Sequence, residues 1–158
     1  MYKILLTLIM VFSLSSCNEQ SGDSGSTEMN GDNLERNIRQ LVSSKVSRQG
    51  NALQWEVDGI TLICIFDENA NRMRIISPVQ EMAHVTDQEV YTMMESNFHA
   101  ALDARYATSG GMLYSTFIHP LSSLSRNDLK SAIDQVYTLN LTFGKDYTSG
   151  ALVFGGNK

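Results

Sequence analysis

Leu53-Gln54-Trp55-Glu56-Val57-Asp58-Gly59-Ile60-Thr61-Leu62-Ile63-Cys64-Ile65-Phe66 is the stretch that decides the fold. Leu53, Trp55 and Val57 alternate with polar residues, the period of a half-buried strand. Asp58-Gly59 follows, and both positions tolerate positive φ, which predicts a two-residue hairpin turn. Residues 60–66 are then apolar and rich in β-branched side chains, which suits a central strand. Asp67 to Asn71 is a polar turn, and Arg72 to Val79 resumes as a third strand that stops near Pro78.

Helical spacing flanks this antiparallel core. Upstream, Leu34, Ile38, Leu41, Val42 and Val46 predict a first helix, with Asp32 or Asn33 as N-cap and Gly50 beyond its end. Downstream, Thr86-Asp87-Gln88-Glu89 is a capping box, in which the threonine hydroxyl and the glutamate satisfy each other's free N–H groups. Val90, Met93, Met94, Phe98, Ala101 and Leu102 continue it on one face of a second helix, while Tyr91 has no assigned place. Arg105–Ser109 and Met112–Ile118 read as two strands around Gly110-Gly111. Ser125-Arg126-Asn127-Asp128 opens a third helix with Leu129, Ile133, Val136 and Tyr137 as its stripe. The expected order is α-β-β-β-α-β-β-α, an α+β fold with helices on one face of an antiparallel sheet, over residues 33–140. Residues 141–158, rich in Gly, Ser and Thr, read as a tail that is either a loose strand or disordered.

The N-terminus carries a different signal. Met1-Tyr2-Lys3 is short and basic, and Ile4 to Leu14 is almost wholly apolar. That run suits a signal-peptide core and is too short to span a bilayer comfortably. It ends in Leu14-Ser15-Ser16-Cys17, which resembles the lipobox of bacterial lipoproteins. The resemblance implies a signal peptide over 1–16, removed at processing, and a diacylglycerol on the Cys17 thiol. Two or more acyl chains give stable anchoring where one gives only marginal binding. Asn18 is not the aspartate that signals inner-membrane retention, so the resemblance implies the periplasmic face of the outer membrane in a Gram-negative envelope. Residues 17–32 then form the lipidated cysteine and a polar tether whose only apolar side chain past Cys17 is Met29. About fifteen residues of such chain span roughly 20 Å.

Composition narrows the partners. The 158 residues hold 12 basic and 17 acidic side chains, net -5, with 42% hydrophobic and 18% charged residues. Lys3 is the only charged residue before Cys17, so the processed chain stands at 11 minus 17, or -6. An acidic domain without clustered Lys and Arg is not a nucleic-acid binder. It also lacks a polybasic patch for anionic lipid, which leaves Cys17 as the link to membrane lipid.

No chemical motif survives inspection, and no cofactor or metal is expected. Asp67, Asn69 and Asn71 open like a calcium loop, but Arg72 stands where glycine is needed and Pro78 where a bidentate glutamate is needed. His84, His99 and His119 show no metal-ligand spacing. No G-x-S-x-G elbow exists, and Phe154-Gly155-Gly156 does not open a helix. Cys64 reads as a small buried hydrophobe. Met82, Met93, Met94 and Met112 read first as core, although methionine-rich surfaces suit adaptable partner binding.

The element order, together with the central hairpin, the second helix and Met112-Leu113-Tyr114-Ser115-Thr116-Phe117-Ile118-His119-Pro120-Leu121, resembles the YbjN-like proteins and the type III secretion chaperones. That resemblance implies a non-enzymatic module that binds an envelope protein or forms a homodimer. The competing expectation is an enzyme or small-ligand protein with a site at the end of the second helix, built from His99, Asp103 and Arg105.

Overall fold

The computed structural model describes residues 28–153. The signal segment, Cys17, the first part of the tether and Phe154-Gly155-Gly156 lie outside the described residues.

The elements run α1 (Gly31–Leu41), β1 (Ser47–Gln49), β2 (Ala52–Val57), β3 (Ile60–Asp67), β4 (Arg72–Glu81), a short 3-10 turn (Met82–His84), α2 (Asp87–His99), β5 (Arg105–Ser109), β6 (Met112–His119) and α3 (Arg126–Leu141). The six strands form one antiparallel sheet in the order β1-β2-β3-β4-β6-β5. The α+β class and the expected order hold, with a three-residue edge strand, β1, added before the hairpin.

The hairpin register places Trp55 opposite Leu62 and Leu53 opposite Cys64. All four are buried, so one face of the sheet is core. Asp58 and Gly59 both take positive φ, +48° and +82°, which makes the tight turn their residue types predict. Cys64 sits opposite Ile75, and Ile75 opposite Phe117, so the buried face continues across β4 and β6. α3 covers this face with Leu129, Ala132, Ile133, Val136 and Leu139, all buried. Ser125 caps α3 as expected, its hydroxyl accepting from Asp128 N–H.

β4 outruns its expected stop at Pro78 and continues to Glu81. Two features permit it. β3 pairs with β4 only as far as Ile76, so at Pro78 β4 has a paired strand, β6, on one side alone. A register shift against β6 between Pro78 and Gln80 also absorbs the irregularity.

The N-terminal boundary moves as well. Asn30, not Asp32 or Asn33, caps α1, its side chain accepting from Asn33 N–H at 2.9 Å. Met29 is buried, and Gly31 packs so closely on Phe66 that a Cβ would lie 2.4 Å from the ring. Residues 29–32, read from composition as tether, therefore belong to the folded domain. Polar composition hid one buried methionine and one glycine selected for close approach.

Candidate interaction surface

α2 begins where its residues predict. Thr86 Oγ1 accepts from Glu89 N–H, and the Glu89 carboxylate accepts from Thr86 N–H at 2.8 Å. The Thr86 backbone bond, with the Thr86 hydroxyl second, holds the Glu89 carboxyl below the usual carboxylate range.

The orientation of α2 is the unexpected feature. Only Met93 and Ser96 of this helix are buried. Val90 is 37% exposed, Tyr91 62%, Met94 65% and Phe98 79%. Val90, Met94 and Phe98 lie at i, i+4 and i+8, so they form one ridge, with Tyr91 beside it. The stripe expected on one face thus splits: Met93 and Ala101 are buried, Leu102 is half-buried, and Val90, Met94 and Phe98 face out.

Polar clasps hold the inner side. Asn97 bonds both backbone groups of Tyr106 in β5, accepting from N–H at 2.8 Å and donating to the carbonyl at 3.2 Å. Ser96 donates to Tyr147 O, and Ser149 donates to Ala101 O at 2.5 Å. Ser149 N–H also donates to Ala100 O at 3.2 Å. The segment after α3, expected as loose tail, is therefore built into the domain as far as Gly150. Phe143, Tyr147 and Tyr106 form an edge-to-face trio at 5.5–6.1 Å, and the Tyr106 hydroxyl donates to Leu139 O at 2.8 Å. Burial, the largest cause, raises the pKa of both Tyr106 and Tyr147.

The candidate catalytic residues do not converge on one cavity. Asp103 and Arg105 line a depression of about 340 Å³ with His119 and Asp128, and His99 is not among its lining residues. The Arg105 guanidinium donates to the carbonyls of Leu102 and Ala104, at 2.5 Å for the latter. Gln135 bonds the backbone N–H of Asp103 and Ala104 and donates to the Asp103 carboxylate at 3.4 Å. These groups organise the turn from α2 into β5. His99 instead packs edge-on against Phe98 at 4.7 Å, with Nε2 at 4.0 Å from Glu95 Oε2. His99 borders the α2 ridge.

The calcium-like residues serve the β3–β4 turn. Asp67 Oδ1 accepts from Ala70 N–H at 2.9 Å, and Asn71 exchanges two bonds with Ser122. Asn71 takes a positive φ of 50°, which asparagine tolerates. Cys64 is buried, and burial pushes its thiol pKa up to about 12. That is the opposite of an activated nucleophile. No helix among the described residues is long and apolar enough to cross a membrane.

No protein-family model matches the chain, and no curated protein matches it. Solved structures do. A chain in the structure of the HopA1-SchA chaperone-effector complex superposes with a TM-score of 0.56 at 13% identity, covering 70% of this chain and 88% of its own. A chain in the crystal structure of the ExsC-ExsE complex superposes with a TM-score of 0.51 at 10% identity, covering 78% of this chain and 92% of its own. The likeness is one of fold.

Proposed function

We propose that this chain is a membrane-anchored lipoprotein whose domain is a non-enzymatic protein-binding module. It engages an envelope protein, or a second copy of itself, through the outer ridge of α2. The observation that carries the reading is the exposure of Tyr91, Met94 and Phe98 on a helix whose inner side is held by polar clasps. Large apolar side chains clustered on one helix face mark a contact surface. Covering each is worth about 1.5–3 kcal/mol when burial is complete. The flexible methionine and the aromatic rings match the composition of partner-binding surfaces. The similarity in fold to a chain from a chaperone-effector complex supports the reading.

Anchoring rests on Leu14-Ser15-Ser16-Cys17 after the apolar run. Asn18 after the cysteine favours the periplasmic face of the outer membrane. The test is in-cell crosslinking of the full chain, followed by affinity capture and mass spectrometry. The proposal expects one envelope protein, or the chain itself, to be recovered. That recovery disappears when the domain is replaced and the signal and Cys17 are kept. Recovery that persists with the anchor alone overturns the binding module. A Cys17→Ser chain that still partitions with membranes overturns the anchor.

A further inference from the structure

A second surface shares no residue with α2. The end of α1, the β2–β3 hairpin and α3 enclose a groove of about 520 Å³. Its floor is apolar: Leu41, Val42, Val57, Ile133 and the ring of Tyr137. Its rim carries Glu56, Asp58 and Asp134, and no lysine or arginine lines it. The volume falls within the usual range of ligand sites, and apolar walls with a few placed polar groups are their usual make-up.

Each rim carboxylate is placed by the fold. Asp58 stands at the hairpin tip and accepts from the Tyr137 hydroxyl at 2.9 Å, which pins the tip to α3. Asp134 is one turn beyond Lys130 and pairs with it at 2.5 Å, both side chains remaining exposed. Such an exposed i,i+4 pair is weak and exchanges readily for a better partner. Glu56 is exposed on β2, one residue before the strand ends at Val57. The C-terminal end of α1, at Leu41 and Val42, adds the negative end of a helix dipole to the same groove. Ser44 also lines the groove, and its shielded Oγ has no hydrogen-bond partner among the described residues.

We infer that this groove docks an arginine-bearing apolar segment of a protein partner, with the guanidinium between Asp58 and Asp134 and the apolar neighbours on Val42, Val57 and Ile133. Charge complementarity selects the occupant: three carboxylates around an apolar floor repel anions and gain nothing from a neutral alkyl chain. Arginine fits better than lysine. Its planar fork pairs with carboxylates in two directions, and its weak hydration suits an apolar floor beside a tyrosine ring.

The test is methyl-detected NMR titration of the full chain in detergent with three probe peptides. They are acetyl-Leu-Arg-Leu-Arg-amide and its Gln and Glu counterparts. The arginine peptide gives saturable shifts at the Val42, Val57 and Ile133 methyls. It binds about tenfold or more tighter than the Gln peptide, and added salt weakens it. The Glu peptide gives none. The combined Asp58→Asn and Asp134→Asn variant keeps the methyl spectrum, because asparagine tolerates the turn conformation at 58, and loses that preference. A Phe98→Glu variant binds the arginine peptide as wild type does, so the result is independent of the α2 surface. Equal shifts from the Arg and Gln peptides, shifts elsewhere, or unchanged binding by the double variant overturn the inference.

Discussion

The side-chain amide of Asn97 replaces a neighbouring strand for Tyr106. It accepts the Tyr106 N–H at 2.8 Å and donates to the Tyr106 carbonyl at 3.2 Å, so one residue of α2 closes the outer edge of β5 at its second residue. An open strand edge is a template for unwanted pairing. Through this bond the helix that bears the exposed ridge also protects the edge beside it.

Asn97→Ala leaves both Tyr106 backbone groups without that partner. The expected cost is about 1–3 kcal/mol, read from urea unfolding. Hydrogen exchange at the Tyr106 amide should quicken more than at Leu113, which lies in the paired interior strand β6. Uniform quickening across the sheet would show that Asn97 acts on the whole domain and not on the edge.

Thr86→Ala removes the α2 cap, at an expected cost of about 1 kcal/mol near neutral pH. The sign with pH follows from Glu89. Its folded pKa lies below the ordinary value because the Thr86 backbone N–H, and after it the Thr86 hydroxyl, donate to it; the alanine variant keeps the first bond and loses the second, whose stabilisation is full above the unfolded pKa and fades as pH falls through the folded one. The difference between wild type and Thr86→Ala should therefore shrink in acid. Parallel urea titrations at neutral pH and below about pH 4 measure it.

Thiol counting tests burial and processing together. Cys64 is buried with its thiol pushed up to about 12, so it should resist an aromatic disulfide reagent until the domain unfolds. A lipidated Cys17 carries no thiol. Protein taken from membranes should show no reactive thiol when native and one, Cys64, when denatured. A thiol that reacts in the native state would contradict the lipid on Cys17 or the burial of Cys64.

Much of this fold was legible because local chemistry and tertiary position agree. Asp58-Gly59 specifies its own turn, Ser125 and Thr86 specify their own caps, and strict alternation in Leu53, Trp55 and Val57 specifies a buried face. The α2 surface was not legible for a physical reason. Periodicity states that Val90, Met94 and Phe98 share a face, but not whether that face meets the core or the solvent. Only the polar clasps of Ser96 and Asn97 decide it, and they depend on Tyr147, 51 residues on, and on Tyr106, nine residues on across the turn into β5. The segment after α3 misled for the same reason. Its Ser and Thr residues read as solvated, yet Ser149 is buried because its hydroxyl finds Ala101 O. His99, Asp103 and Arg105 are near in sequence, but the turn at Leu102, with a positive φ of 56°, takes the last two to another depression.

Met94→Glu with Phe98→Glu separates binding from folding. Both side chains are largely exposed, so stability should stay within about 0.5 kcal/mol of wild type. Partner recovery should fall to background, measured by the same capture used for the wild-type chain.

Site-directed photocrosslinking tests the account most directly. A photoreactive residue is placed at position 94 or 98 of the full chain in its own cells, and at exposed position 145 as control. Positions 94 and 98 should each give the same discrete adduct, to one envelope protein or to a second copy, and position 145 should not. The same adducts from all three positions, or none from 94 and 98, would contradict α2 as the binding surface.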